Sequence, residues 1–134
     1  MNEVVVFCDG GSRGNPGPSA WGFTIQAPEG TEVEGHGETI GHATNNVAEY
    51  TAVIRALERC AELGVPVVHL RSDSKLLIEQ LKGNYKVKAP GLIPLALEAK
   101  RLARVFQKVT FTHVRREFNV RADELVNLAL DGMI

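Results

Sequence analysis

Four acidic residues stand where the surrounding sequence changes character. Asp9 follows the β-prone run Val4-Val5-Val6-Phe7-Cys8, and Asp73 follows the short apolar run Val67-Val68-His69-Leu70 and Arg71-Ser72. Glu49 and Asp123 fall in the first turns expected of a long helix and of the last helix. Taken singly, each acid has an ordinary use as a turn residue, an N-cap or a favourable charge near a helix N-terminus. Taken together they are harder to place. Two carboxylates ~4 Å apart repel by roughly 4 kcal/mol at an effective dielectric of about 20. Acids gathered at one site therefore raise each other's pKa unless a cation sits among them. No lysine or arginine stands beside Asp9, Glu49 or Asp73 in an obvious pairing position. An all-oxygen set suits hard Mg²⁺ or Mn²⁺ rather than zinc. Two such ions ~3.5–4 Å apart are a device for in-line phosphoryl displacement.

Whether the four acids meet depends on the elements that carry them. The Val4–Cys8 run has the continuous apolar character of a strand covered on both faces. It is expected to stop at Asp9, where the turn-rich cluster Gly10 to Pro18 begins. A hairpin follows, with strands over Trp21–Ala27 and roughly Glu32–Ile40 around the loop Pro28-Glu29-Gly30. Thr44-Asn45-Asn46 offers caps for a long helix whose apolar stripe is Tyr50, Val53, Ile54, Leu57, Cys60 and Ala61, ended by Gly64 and Pro66. Ser72-Asp73-Ser74 caps a short helix with Leu77, Ile78 and Leu81. A basic connection, Lys82 to Pro90, leads to a helix over about Leu92–Phe106, a strand over Val109–Val114, and a closing helix capped by Asn119. The order is βββαβααβα, which implies a five-stranded mixed sheet flanked by helices in an α/β fold. A right-handed crossover would make the Asp9 and Asp73 strands parallel neighbours. Both carboxylates would then emerge beyond the strand C-termini, the edge where open α/β sheets place their sites.

The 134 residues fit a single domain, 1–134, with no linker, repeat or low-complexity tract. Fifteen Lys and Arg against sixteen Asp and Glu give a net charge of −1, so any affinity for a polyanion must come from a local patch. Cys8 and Cys60 sit in apolar runs and read as reduced core thiols, which fits a cytoplasmic compartment. The acidic N-terminus and its short apolar run argue against a signal peptide or a membrane span. A monomer is expected.

Four stretches carry a family resemblance: Asp9-Gly-Gly-Ser-Arg-Gly-Asn-Pro-Gly-Pro18, Thr44-Asn-Asn-Val-Ala-Glu-Tyr50, Ser72-Asp-Ser74 and Asn119-Val-Arg-Ala-Asp-Glu-Leu125. In this order and spacing they resemble type 1 ribonuclease H over nearly the whole chain. The resemblance implies a ribonuclease H-like fold and an endonuclease that cuts the RNA strand of an RNA–DNA hybrid, leaving 3′-hydroxyl and 5′-phosphate ends. It also implies two Mg²⁺ ions held by an Asp-Glu-Asp-Asp set, matched here by Asp9, Glu49, Asp73 and Asp123. By the same resemblance Gly11, Ser12, Asn15 and Asn45 lie at the RNA strand, and Thr44 and Asn46 near the DNA strand.

Two departures from the family pattern stand out. The basic, tryptophan-bearing protrusion of many bacterial members is replaced by Lys82–Pro90, as in short archaeal-type members, leaving Lys82, Lys86 and Lys88 as candidate phosphate contacts. The histidine that many members carry in a loop before the last helix is missing from Val114–Asn119, and His113 reads as a sheet residue. The rival readings are another nuclease of the same fold, a non-catalytic hybrid-binding module, and an aspartate phosphatase. The complete acidic set disfavours a plain binder of polyanions. Asp9-Gly10-Gly11 lacks the second aspartate that the phosphatase would need.

Overall fold

The computed structural model describes residues 1–134, in five strands and four α-helices. The strands are β1 (Glu3–Ser12), β2 (Gly17–Gln26), β3 (Glu32–Ala43), β4 (Val67–Ser72) and β5 (Lys108–His113). The helices are α1 (Asn45–Glu62), α2 (Lys75–Leu81), α3 (Ile93–Ala103) and α4 (Val120–Leu130), with a short 3₁₀ turn at Arg116–Phe118. The sheet order is β3-β2-β1-β4-β5. The β1–β2 and β2–β3 pairs are antiparallel, while β1–β4 and β4–β5 are parallel, so the expected mixed sheet and element order are both present.

The two faces of the sheet are covered differently. On one face Val4, Val6 and Cys8 of β1 share a buried cluster of 23 residues with Tyr50, Val53, Leu57 and Cys60 of α1, and α3 packs on α1 and adds Ala96, Ala99 and Leu102. At ~1.5–3 kcal/mol for each large aliphatic side chain taken from water, this face carries most of the hydrophobic stabilisation. On the other face α4 lies over β1, β2 and β3. Its buried cluster is only Ala20, Val126 and Ala129.

Several boundaries differ from the sequence reading. Strand β1 continues through Asp9 to Ser12, because β2 pairs with it as far as Ser12↔Ser19 after the parallel ladder with β4 has ended at Phe7↔Arg71. Glycine-rich composition suggests a turn there, but Gly10 marks a close approach of backbone inside a strand. Helix α1 is capped by Thr44, whose Oγ1 accepts from the Val47 N–H at 3.2 Å. Glu49 therefore lies just past the first turn rather than within it. Helix α3 is shorter than expected, its last turn unwinding after Ala103. Asn119 does not cap α4 with its side chain, which is used elsewhere. Ser74 does cap α2, accepting from the Leu77 N–H at 3.2 Å.

Candidate active site

The parallel pairing of β1 and β4 brings Asp9 and Asp73 to one edge. Asp9 lies just past the last parallel pair, and Asp73 directly follows the last residue of β4. Glycines bring the other two acids in. A Cβ at Gly10 would sit 2.2 Å from the Ala48 carbonyl carbon, so α1 rests directly on the β1 backbone beside Glu49. Gly22 is the cross-strand partner of Asp9, and a Cβ there would lie 2.8 Å from the Ala122 carbonyl oxygen. At Gly37 a Cβ would lie 2.7 Å from the Leu125 carbonyl oxygen. Helix α4 thus sits on a glycine floor, with Asp123 in its first turn.

Asn119 ties this helix to the first strand. Its Nδ2 donates to the Cys8 carbonyl at 3.0 Å, and its own backbone carbonyl accepts from the Asp123 N–H at 3.2 Å. The side chain is 1% exposed and its Oδ1 has no partner. A buried acceptor without a donor costs about 1–3 kcal/mol. Asn119 therefore joins the backbone next to Asp9 to the backbone of Asp123 at a local cost in stability.

Asp9, Glu49, Asp73 and Asp123 line one cavity of about 320 Å³, together with Asn45, Arg13 and Arg116. Burial, then the carboxylates of Asp73, Asp123 and Glu49, push the Asp9 carboxyl up to about 8. Burial raises Glu49 to about 6; Ser74 pulls it the other way and Asp73 adds to the rise. The only cation near Asp73 is Arg116, whose Nε is 3.7 Å from Oδ2 and whose side chain is 91% exposed. Such a pair is worth little. The acids are not drawn in to the spacing of a preformed metal cage. Asp9 and Asp123 nevertheless lie within hydrogen-bonding reach of each other, and without a counter-charge between them the proton stays on Asp9. A buried, poorly neutralised, all-oxygen donor set fits a hard divalent cation.

The other candidate residues divide among three surfaces. Gly11, Ser12 and Asn45 line the carboxylate cavity. The Ser12 N–H donates to Asn45 Oδ1 at 2.8 Å, and the Asn45 N–H donates to Asn15 Oδ1 at 3.0 Å, so the two motifs are fastened together. Asn15, Thr44 and Asn46 line a neighbouring groove of about 440 Å³ with Ala89, Gly91 and Leu92. Lys86 lies on a third groove along α3 with Tyr85, Leu97 and Lys100, apart from the carboxylates, and Lys88 lines none of these surfaces. His113 is an exposed residue at the end of β5, paired in register with Ser72. His36 packs on Phe23, with ring centroids 5.1 Å apart. His69 bonds Thr110 and Glu3 across the strands. Three residues have roles that the sequence alone does not signal: Arg13, Arg116 and Asn119. Each acts on partners far along the chain, so only the fold reveals them.

A family profile described as "Reverse transcriptase-like" matches residues 7–129. The chain is 45% identical over 129 residues to Ribonuclease HI of Halobacterium salinarum, covering 96% of this chain and 65% of that protein. The crystal structure of RNase H1 from that organism superposes with a TM-score of 0.94 over 97% of this chain and 98% of the other. The chain belongs to the ribonuclease H family. It is 42% identical over 131 residues to the bifunctional protein Rv2228c of Mycobacterium tuberculosis, covering 97% of this chain but 36% of that protein. It thus spans about a third of one relative and under two thirds of another. A crystal structure of LC11-RNase H1 in complex with an RNA/DNA hybrid matches with a TM-score of 0.92 and 40% identity, over 97% of this chain and 98% of the other. No helix of the chain is long and apolar enough to cross a membrane.

Proposed function

We propose that this chain is a metal-dependent endonuclease that hydrolyses the RNA strand of RNA–DNA hybrids to 3′-hydroxyl and 5′-phosphate ends. The observation that carries this reading is the gathering of Asp9, Glu49, Asp73 and Asp123 around one cavity with too few cations to neutralise them. Family membership and the hybrid bound by the related LC11-RNase H1 support the substrate. The four carboxylates would hold two Mg²⁺ ions, with Mn²⁺ as the alternative. When bound, such a pair supplies an activated water and charge stabilisation at the leaving oxygen.

The protein's own residues prepare the site. Asp9, whose carboxyl is raised to about 8 by burial and its acidic neighbours, would give up that proton to hold a cation. Glycine contacts and Asn119 hold the backbones beneath the acids, so closing on a cation would move the carboxylate side chains and leave the backbone in place. Asn45 Oδ1 is already engaged by the Ser12 N–H, which leaves the Asn45 amide NH₂ to donate to the substrate. Recognition of an RNA strand rests on 2′-hydroxyl contacts, which short amides and backbone groups can make as donor and acceptor. In this reading Gly11, Ser12, Asn15 and Asn45 serve the RNA strand, and Thr44 and Asn46 serve the DNA strand. Lys86 and Lys88 act at longer range. Residues 1–134 form one domain and act as a monomer. The free, buried thiols of Cys8 and Cys60 support a cytoplasmic setting.

The test uses four matched substrates with Mg²⁺: RNA–DNA, RNA–RNA, DNA–DNA and single-stranded RNA. Only the hybrid should be cut. Asp73→Asn should lower the rate by orders of magnitude while the melting temperature is unchanged or higher, as carboxylate repulsion is relieved. Near wild-type cutting by that variant would remove Asp73 from the site. Hybrid binding without cutting would favour the non-catalytic module.

A further inference from the structure

Arg13 is the second cation of the carboxylate cavity, and neither the metal set nor the hairpin turn accounts for its side chain. Its backbone is fixed. The Arg13 N–H donates to the Pro18 carbonyl at 2.8 Å, and Gly17 packs so closely that a Cβ there would lie 2.1 Å from the Arg13 carbonyl oxygen. Its guanidinium leans on the last turn of α4. Nη1 donates to Asp131 Oδ1 at 2.7 Å and Nη2 to Asn127 Oδ1 at 3.3 Å. The side chain is nevertheless 48% exposed. A guanidinium also carries more N–H donors than these two partners use.

The position of this head group along α4 gives it a use. Asn127 is one helical turn from Asp123 and Asp131 is two, so the guanidinium lies roughly 6–12 Å along the helix from the acid. One nucleic-acid strand carries a phosphate about every 3.4 Å of helix axis. A strand whose reacting phosphodiester sits at the carboxylates therefore brings another of its phosphates past Arg13. Arginine is suited to this contact, because its planar fork binds phosphate while a carboxylate behind it holds the fork in place.

We propose that Arg13 binds a phosphate of the cleaved strand flanking the reacting one, with Asp131 and Asn127 as the bracket that aims it. This deepens the hydrolase reading and rests on it: the strand named is the one that lies at the carboxylates.

The rival account is that Arg13 merely ties the β1–β2 turn to α4. The two accounts separate when Arg13→Ala is compared with Asp131→Ala, because both remove the same ion pair. Hybrid affinity is measured by fluorescence anisotropy without divalent cation, across a salt series. Cleavage by the wild type is followed separately in Mg²⁺. A phosphate contact predicts that Arg13→Ala weakens binding roughly three- to tenfold at low salt. It also predicts a log–log salt slope shallower by up to about 0.9. Asp131→Ala, which leaves the Arg13 charge but loosens its aim, should keep the slope near wild type and lose only a small part of the affinity that Arg13→Ala loses, and Arg13→Lys should recover the slope better than the affinity. In hybrids shortened stepwise from either end, the Arg13→Ala defect should vanish on shortening one end only. Equal losses in Arg13→Ala and Asp131→Ala, or no loss in either, would overturn the proposal while leaving the hydrolase reading intact. Failure of the wild type to cut would overturn the hydrolase reading by itself.

Discussion

The two faces of the sheet solve opposite problems. Against α1 and α3 the chain presents large side chains, and a buried cluster of 23 residues holds that face together. Against α4 it presents Ala20, Gly22 and Gly37, and the buried cluster has three members. A face built on side chains tolerates small adjustments, because neighbours repack around a missing methyl group. A face built on backbone contacts does not adjust that way, since a carbonyl against a glycine has nowhere to move. The catalytic candidates fall at the junction. Glu49 is supplied by the helix of the thick core, Asp123 by the helix of the thin one, and Asp9 by the strand between them. The thick face would supply stability and the thin one the distance between carboxylates.

That division is tested most sharply by one substitution on each face. Leu57 is fully buried in α1, and Leu57→Ala should cost about 2–5 kcal/mol of stability. Activity per folded molecule should fall little, because no carboxylate rests on that side chain. Gly22→Ala should do the reverse. Its Cβ would press on the Ala122 carbonyl oxygen, lifting α4 and carrying Asp123 away from Asp9. A displacement of this kind costs ~100-fold or more in rate, with a stability loss of about 1–3 kcal/mol. Denaturant midpoints and rates on the folded fraction check both. Similar ratios of rate loss to stability loss in the two variants would erase the distinction between the faces.

Much of this architecture is legible in the sequence, for physical reasons that also explain the gaps. The apolar run at β1, the helical stripe from Tyr50 to Cys60 and the acids after β1 and β4 report burial and strand ends directly. Their order, together with the handedness of crossovers, brings Asp9 and Asp73 together. Gly10-Gly11-Ser12 reads as a turn because glycine has the same composition signal in a loop and under a packed helix. Only the helix above it, with Ala48 against Gly10, tells the two apart. Asn119 looks like a cap because caps are local, whereas its real partner, Cys8, is 111 residues away. Arg13 and Arg116 give no local signal for the same reason: their partners on α4 and after β4 are neighbours in space alone. Lys86 stands near the second aspartate in sequence, yet it lies on the α3 groove.

A smaller effect probes the charge stored on the thin face. The Asp9 carboxyl is raised from 3.8 to about 8, so the folded chain holds this proton more tightly than the unfolded chain does. The resulting stability is fully present below about pH 4 and is lost as pH rises through about 8. Without divalent cation, the melting temperature of the wild type should therefore fall over that interval. Asp9→Asn, which keeps the shape and never ionises, should flatten the fall and melt higher than wild type at pH 8. Added Mg²⁺ should stabilise the wild type and leave the variant nearly unchanged. Parallel melting curves for the two proteins between pH 4 and 8 would mean that Asp9 carries no stored repulsion.

The smallest expected effect asks whether the thick face contributes to substrate binding at all. Lys82, Lys86 and Lys88 belong to the connection that runs from α2 to α3, and Lys86 borders the α3 groove rather than the carboxylate cavity. Of the residues that follow, Ala89, Gly91 and Leu92 reach the groove shared with Asn15, Thr44 and Asn46, so this connection flanks a path leading away from the acids. Lysines placed there act on phosphates through counterion release, without reading sequence. Replacing all three with alanine should weaken hybrid binding at low salt. Its salt dependence should flatten by up to roughly 0.9 in log–log slope for each phosphate that is no longer neutralised. The loss should appear in KM with little change in kcat, since these interactions are equal in the ground and transition states. Stability should barely move, because all three are exposed. A fall in kcat instead would mean that the connection helps to hold the carboxylates, and the separation of a stabilising face from a catalytic one would fail on that side. Unchanged affinity and slope would leave the lysines as a solvated loop and confine substrate binding to the cavity and the groove beside it.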